Sequence, residues 1–431
     1  VTSTLTHRAI DAVWRIESAR IIAGLTRIVR DVGLAEELAQ DALVAALEQW
    51  PASGIPDNPG AWLMATAKHR AIDAWRRNKL LERKHQEFGR ELEAQQEMAV
   101  PDLDAAIDDD VGDDLLRLVF ISCHPVLSPE ARVALTLRLL GGLTTDEIAR
   151  AFLVPEPTVA QRIVRAKRTL AEARVPFEIP RKAELAARLA SVLEVIYLVF
   201  NEGYSATAGD DWMRPALCEE ALRLGRVLAE LAPSEPEAHG LVALMEIQAS
   251  RSHARIGPSG EPILLLDQNR ALWDQLLIHR GLAALDRAGN LGGSSGPYAL
   301  QAAIAACHAR ALTSKETDWA RIVALYADLA KIAPSPVVEL NRAVAVAMAF
   351  GPAAGLELID TLASEPSLKA YHLLPSVRGD FLFKLARFAE ARAEFERAAA
   401  LTRNARERHL LLDRARACAG GSPRPGPRGS V

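Results

Sequence analysis

Cysteine is scarce and scattered: the four in this 431-residue chain, Cys123, Cys218, Cys307 and Cys418, stand far apart with no Cys-x-x-Cys spacing. That excludes a disulfide framework and the common structural zinc sites, and it fits a reducing compartment. The thiols are expected to be small buried apolar groups. No apolar run is long enough to cross a bilayer, and no charged-then-apolar leader opens the chain, so a cytoplasmic protein with no membrane partner is expected. Large net charge is lacking too. The 51 Lys and Arg against 55 Asp and Glu leave −4, an average over basic helices and one acidic segment that says little about partners. No nucleophile or metal spacing stands out, so no catalytic residue, cofactor or metal is expected. The excess of arginine over lysine and the abundant alanine point to GC-rich bacterial coding, with Val1 fitting a GTG start codon.

What is present is helical periodicity over a length sufficient for two or three domains. Ile10, Val13, Trp14, Ile21, Leu25 and Ile28 make one stripe, and Leu34, Leu38, Leu43 and Leu47 another. Pro51 to Gly60 is rich in turn residues. A third helix begins after it, with Trp62, Leu63, Ala67, Ala71, Ile72 and Trp75 apolar and Lys68, Arg70, Arg76, Arg77, Lys79, Arg83 and Lys84 basic. Cations interleaved with aromatics hold phosphates while stacking on bases, although the same pattern also describes a solvated helix with core tryptophans. Residues 82 to 114 turn acidic and lose apolar periodicity, as a soluble tether does; the acid could also mask the flanking basic blocks.

The segment from Gly142 to Arg168 reads as a helix-turn-helix. Thr144 and Glu147 have the spacing of a reciprocal helix cap. Ile148, Ala149 and Phe152 face inward, Leu153-Val154 turns, and Val159, Ile163, Ala166 and Leu170 form the stripe of a second helix. Its other face carries Thr158, Gln161, Arg162, Arg165 and Arg168, with Lys167 beside them. In such a motif the early residues of the second helix reach base edges and later cations meet phosphates. An ordinary helical hairpin with a basic face has the same periodicity. Pro155 and Pro157 remove a side-chain cap but suit a first helical turn.

Beyond Val175 to Pro180 the chain is almost wholly helical, with breaks at 201–211, 257–262 and 289–297. Leu228-Ala-Glu-Leu-Ala-Pro-Ser recurs as Leu329-Ala-Lys-Ile-Ala-Pro-Ser, an offset of about three tetratricopeptide periods. Gly379 to Leu401 looks like a tetratricopeptide hairpin; stacked hairpins make a solenoid with a concave binding face, and an irregular bundle remains open for residues 180 to 330. The Gly-, Pro-, Ser- and Arg-rich stretch 420–431 reads as a disordered tail.

The two basic blocks, their order and the acidic tether resemble the extracytoplasmic-function sigma factors of bacterial RNA polymerase. Ala35-Glu-Glu-Leu-Ala-Gln-Asp-Ala-Leu43 is similar to the family's polymerase-binding helix, which implies polymerase contacts at Glu37, Gln40, Asp41 and Leu43. Asn58 to Arg77 is similar to its minus-ten reading and melting segment, which implies DNA contacts at Asn58, Trp62, Lys68, Arg70, Arg76 and Arg77. Leu143 to Leu170 is similar to its minus-thirty-five reader, which implies contacts at Thr158, Gln161, Arg162, Arg165, Lys167 and Arg168, with Ala160 where a basic residue is frequent. The rest resembles a subgroup with a fused tetratricopeptide-like domain, through Phe200-Asn-Glu-Gly-Tyr204, Leu266 to Asp274, Gly296-Pro-Tyr298, Thr317-Asp-Trp319 and Leu340 to Val346.

The resemblance implies an all-α fold: region 2 at residues 1–84, an acidic linker at 85–112, region 4 with the helix-turn-helix at 113–176 and a tetratricopeptide-like extension at 177–419. It implies core RNA polymerase (the β′ clamp and β flap) and promoter DNA as partners, and a small regulatory protein on the extension; subgroup genes often neighbour those of small DGPF-type proteins and lack a membrane anti-sigma partner, which implies that the extension regulates the factor. Asp267, Gln268, Asn269 and Arg270 form the extension's candidate site, either pinning a loop or touching polymerase. Asn269 stands where the subgroup has a carboxylate.

Two rival functions can be framed. A one-component helix-turn-helix regulator with a helical sensor leaves Ala35 to Leu43 and the basic aromatic helix without a role. An enzyme would need Asp267 beside His279 or His308 as acid-base groups.

Overall fold

The computed structural model describes residues 2–72, 111–152, 154–180, 182–206, 208–209, 211–258 and 260–419. Its architecture is all-α, apart from a two-residue parallel pairing of β1 (Ala208–Gly209) with β2 (Arg403–Asn404). By contacts the chain divides into Val1–Ile196 and Tyr197–Val431. None of the described helices is long and apolar enough to cross a membrane.

In the first unit, α1 (Thr2–Val29) packs along α2 (Val32–Ser53). Asp31 starts α2 by accepting from the Leu34 amide at 2.9 Å, an N-cap. The buried face of α2 is mostly alanine: Ala35, Ala39, Ala42, Ala45 and Ala46 are buried together with Val32, Leu38 and Trp50, while Leu34, Leu43 and Leu47 are only half-buried. Of the expected leucine stripe only Leu38 lies inside, which corrects the expectation for Leu34, Leu43 and Leu47. Small residues let two helix backbones approach closely, so the inward face need not be the most hydrophobic one. Pro51 also departs from expectation, lying inside the last turn of α2, and residues 54–58 form the loop before α3 (residues 59–72).

Next come α4 (Val111–Ser122), α5 (Pro129–Leu139), α6 (Thr145–Phe152) and α7 (Glu156–Glu172). Residues 73–110, most of the acidic linker, lie outside the described residues, as do Leu153 and the tail 420–431. The acidic stretch does not run unstructured to residue 114: α4 already begins at Val111, and Asp114 is buried, paired with Arg27 of α1 at 3.2 Å and Arg117 at 2.6 Å. Gly142 joins α5 to α6 at φ 65°, a conformation that favours glycine. The capping box is present in both directions: the Glu147 amide donates to Thr144 Oγ1 at 3.1 Å and the Thr144 amide to Glu147 Oε2 at 2.8 Å. In α7 the buried residues are Val159, Ile163, Ala166 and Leu170, and Pro155 is the N-cap with no side-chain cap bond, both as expected.

The helix α8 (Lys182–Tyr204) contains the unit boundary. Its first part fastens onto the α4–α5 pair: Arg188 donates to Phe120 O at 2.8 Å, Ser191 to Cys123 O at 2.6 Å, and Arg132 reaches Ser191 and Glu194. It runs on through Asn201–Tyr204, where the sequence suggested a break.

The second unit continues as α9 (Pro215–Leu231), α10 (Pro236–Ala249), a loop with three short 3-10 turns, α11 (Gln275–Asn290), α12 (Pro297–Arg310), α13 (Trp319–Ile332), α14 (Pro336–Phe350), α15 (Pro352–Leu362), α16 (Leu373–Lys384), α17 (Phe388–Leu401) and α18 (Ala405–Ala419). From α12 onward each helix packs on the next. Glycine makes two crossings possible: a Cβ on Gly379 would lie 2.9 Å from the Phe395 ring, and one on Gly355 would lie 2.5 Å from Ala347 Cβ.

Candidate polymerase and nucleic-acid interface

On α2, Glu37 and Asp41 are exposed and Gln40 is half-buried, with Val44 next on the same face at 49% exposure. Spacings of three and four residues put these groups on one side of the helix, an acidic face with an apolar member. Leu43 is half-buried. Gln40 Nε2 donates to Glu36, and Asp41 is paired with Arg70 of α3 at 3.2 Å. A residue expected to meet polymerase and one expected to meet DNA therefore meet each other.

Asn58 acts locally, where its Oδ1 accepts from the Ala61 amide at 3.0 Å and caps α3. Trp62 lies edge-on to Trp50, ring centroids 5.3 Å apart. Asn58 and Lys68 line a cavity of about 410 Å³ with Arg20, Arg27, Gly60 and Met64, and its carboxylates are Glu17 and Asp114. Arg76 and Arg77 lie outside the described residues.

On α7, Gln161, Arg165 and Arg168 are exposed and Thr158 and Arg162 half-buried, opposite the apolar stripe. The hydrogen bond to Glu172 at 2.6 Å holds the Arg168 guanidinium proton more tightly than usual. Lys167 departs from the DNA-facing set: its ammonium is ion-paired with Glu36 of α2. Position 167 follows Ala166 at the border of the buried stripe, and the helical turn of about 100° per residue aims it at α2.

Glu36 is the residue sequence reasoning missed. Only 3% exposed, it also accepts from Arg138 of α5 at 2.7 Å, while Arg15 of α1 reaches Glu147 of α6 at 2.7 Å. One carboxylate thus ties α2 to both α5 and α7. Its place in the alanine face, between Ala35 and Ala39, was the available signal. A charge within a buried stripe calls for a partner.

In the second unit, Asp267 is exposed, Gln268 is buried with its amide donating to Ile263 O at 3.1 Å, and Asn269 caps the following turn at the Ala271 amide at 3.0 Å. Arg270 donates to His308 O, to Ala311 O at 2.6 Å and to Thr317 Oγ1 at 3.2 Å. The three residues after Asp267 thus pin the loop. Burial, with Arg251 and Arg270 nearby, pushes the His308 imidazole down to about 3. His279 is exposed and bonded to Gln275 O. Neither histidine bonds to Asp267.

Comparison with known proteins gives the two helical blocks their class. Sigma-70 region 2 matches residues 16–80 and sigma-70 region 4 matches residues 117–170. The chain therefore carries a sigma-70 region 2 domain and a sigma-70 region 4 domain, and it belongs to one family with an uncharacterized protein of Rhizobium meliloti, 44% identical over 387 residues, 90% of each chain. The probable ECF RNA polymerase sigma factor SigI of Mycobacterium tuberculosis is 27% identical over 39% of this chain and 57% of its own length. The ECF RNA polymerase sigma factor SigK of Mycobacterium ulcerans is 29% identical over 35% of this chain and 78% of its own. Residues 188–289 match a family of unknown function, DUF6596. No solved structure matches the chain.

Proposed function

We propose that the chain is a sigma factor that binds core RNA polymerase, recognises promoter DNA and initiates transcription, the polymerase itself making the bonds. The observation that carries this reading is that sigma-70 regions 2 and 4 fold in one unit, with Glu37 and Asp41 exposed on α2 and Arg165 and Arg168 exposed on α7. In this reading Glu37, Gln40, Asp41 and Leu43 meet the clamp. The loop before α3 and the cavity bordered by Asn58 and Lys68 receive an unstacked minus-ten base, and α7 lies in the major groove upstream.

Unstacking costs a few kcal/mol per base, so the energy of polymerase binding drives melting and the cations hold the strand in a salt-dependent way. The pairs Asp41–Arg70 and Glu36–Lys167 belong to a closed form in this account. Polymerase takes the α2 face, Arg70 is released to DNA, and region 4 separates from region 2 to reach the upstream element. The acidic linker before α4 serves as the tether that permits this. Residues 177–419 act as a tetratricopeptide-like regulatory extension. Run-off transcription with purified core polymerase tests the reading: it stands if the protein directs a defined transcript and fails if the protein binds operator DNA alone but never initiates.

A further inference from the structure

The second unit contains a row of cations that no carboxylate ion-pairs among the described residues. Arg255 lies with its guanidinium carbon 3.4 Å from the centroid of the Tyr204 ring and 5.8 Å from that of Trp212. Arg251 shares the Tyr204 ring at 5.8 Å and reaches the Trp273 ring at 5.7 Å, and Arg270 lies over Trp273 at 4.8 Å. Guanidinium and ring thus alternate from Trp212 to Arg270. The residues come from the end of α8, the loop before α9, the loop after α10 and the turn before α11, and all fall within the stretch matching the family of unknown function.

Among the described residues no carboxylate lies within ion-pairing distance of Arg251, Arg255 or Arg270. Arg270 is spoken for by the carbonyls of His308 and Ala311. Arg255 is different. It is only 7% exposed, and its Nη1 has no hydrogen-bond partner. The indole Nε1 atoms of Trp212 and Trp273, along the same row, have none either. Ring faces compensate a guanidinium only in part, and buried donors left unmade are costly. Burial, and after it the charge of Arg251, disfavours the charged form of Arg255, and the Tyr204 side chain offsets this only in part. A buried cation ordinarily has a counter-charge, and here the three orphaned groups are all donors.

We propose that this row is a binding site for an oxyanion, a phosphate or carboxylate group of a small ligand, held by Arg255 and Arg251 with the indole N–H group of Trp212 beside Arg255. A guanidinium fork fits both oxyanions in bidentate fashion, and the burial of Arg255 suits a compact group. The site lies wholly in the second unit, so it is independent of the sigma-factor reading.

The test uses the full-length protein, titrated with sodium phosphate and separately with sodium citrate, each against sodium chloride at matched ionic strength. Tryptophan fluorescence and thermal melting are the readouts. A saturable change beyond the chloride control is expected for at least one oxyanion: phosphate alone assigns a phosphate ligand, citrate alone a carboxylate ligand, and both a shared oxyanion site. Arg255→Gln is expected to weaken binding at least tenfold and Trp212→Phe, which keeps a ring but removes the donor, severalfold. Should Arg255→Gln fail to fold, the half-buried Arg251→Gln is read instead, with the same tenfold loss expected. Changes that follow ionic strength alone, or saturable binding that is undiminished in Arg251→Gln and Trp212→Phe, overturn the proposal.

Discussion

Lys167, on the helix expected to read DNA, is ion-paired with Glu36, on the helix expected to meet polymerase. Arg138 completes the grip on the same carboxylate at 2.7 Å. A residue counted among the DNA contacts is thus occupied within the protein, and regions 2 and 4 are linked through a buried charge.

Replacing Glu36 with alanine leaves Arg138 and Lys167 facing each other without a counter-charge. Removing one partner of a buried ion pair costs about 3 kcal/mol, so the urea midpoint of the first unit should fall. Released α7 should also bind promoter DNA more tightly without polymerase, by several-fold in a mobility shift at fixed salt. Lowered stability with unchanged DNA binding would mean that the pair only holds the fold.

Asn58 combines a cap with a place on the cavity edge, and two substitutions separate these roles. Asn58→Ala removes the cap and should cost about 1 kcal/mol of stability. Asn58→Asp keeps an acceptor for the Ala61 amide but loses the side-chain NH2 group and adds a negative charge. If the cavity receives a base, Asn58→Asp melts near the parent temperature yet loses promoter opening, read by permanganate reactivity of the minus-ten thymines. Full opening by Asn58→Asp would reduce Asn58 to a cap.

A truncation ending at residue 177 removes Arg188 and Ser191, which bond to the carbonyls of Phe120 and Cys123. One ending at 196 keeps them. The shorter fragment should melt lower, by several degrees in a circular-dichroism scan; equal melting would show that α8 contributes nothing to region 4.

Two histidines make stability depend on acid. Burial depresses His308 to about 3, and burial with the Arg188 charge depresses His124 to about 4, from an ordinary 6.5. Each stays neutral in the fold while the unfolded chain takes up a proton. Their contribution is therefore complete above pH 6.5 and is lost as pH falls toward 4 and 3. His308→Asn should flatten the decline in unfolding free energy between pH 6.5 and 3; an unchanged slope would contradict the assignment.

Short-range features were legible in the sequence. The Thr144–Glu147 cap and the Val159–Leu170 stripe follow from spacing alone, because both are decided within a few turns of helix. Pairings between distant residues were not. Nothing near Lys167 in sequence announces Glu36, and the alanine face of α2 hides from any pattern that ranks residues by hydrophobicity. Pro51 reads as a breaker although its place in a final turn leaves little for it to disrupt. Arg270 was singled out for its motif, but what it does, tying the loop to His308 and Ala311, depends on chain about forty residues away. Arg251 and Arg255 have no distinguishing spacing at all, since their ring partners come from three separate segments.

Multi-round run-off transcription with purified core polymerase and the full-length protein reads promoter-directed initiation by the whole chain. Random promoter libraries supply the template. Transcripts are expected from a shared minus-thirty-five and minus-ten pair, and they should weaken markedly when Arg165 on α7 is replaced by alanine, because one good base contact contributes about 1–3 kcal/mol of discrimination. Binding to duplex DNA with no transcript from any template would contradict the sigma-factor reading.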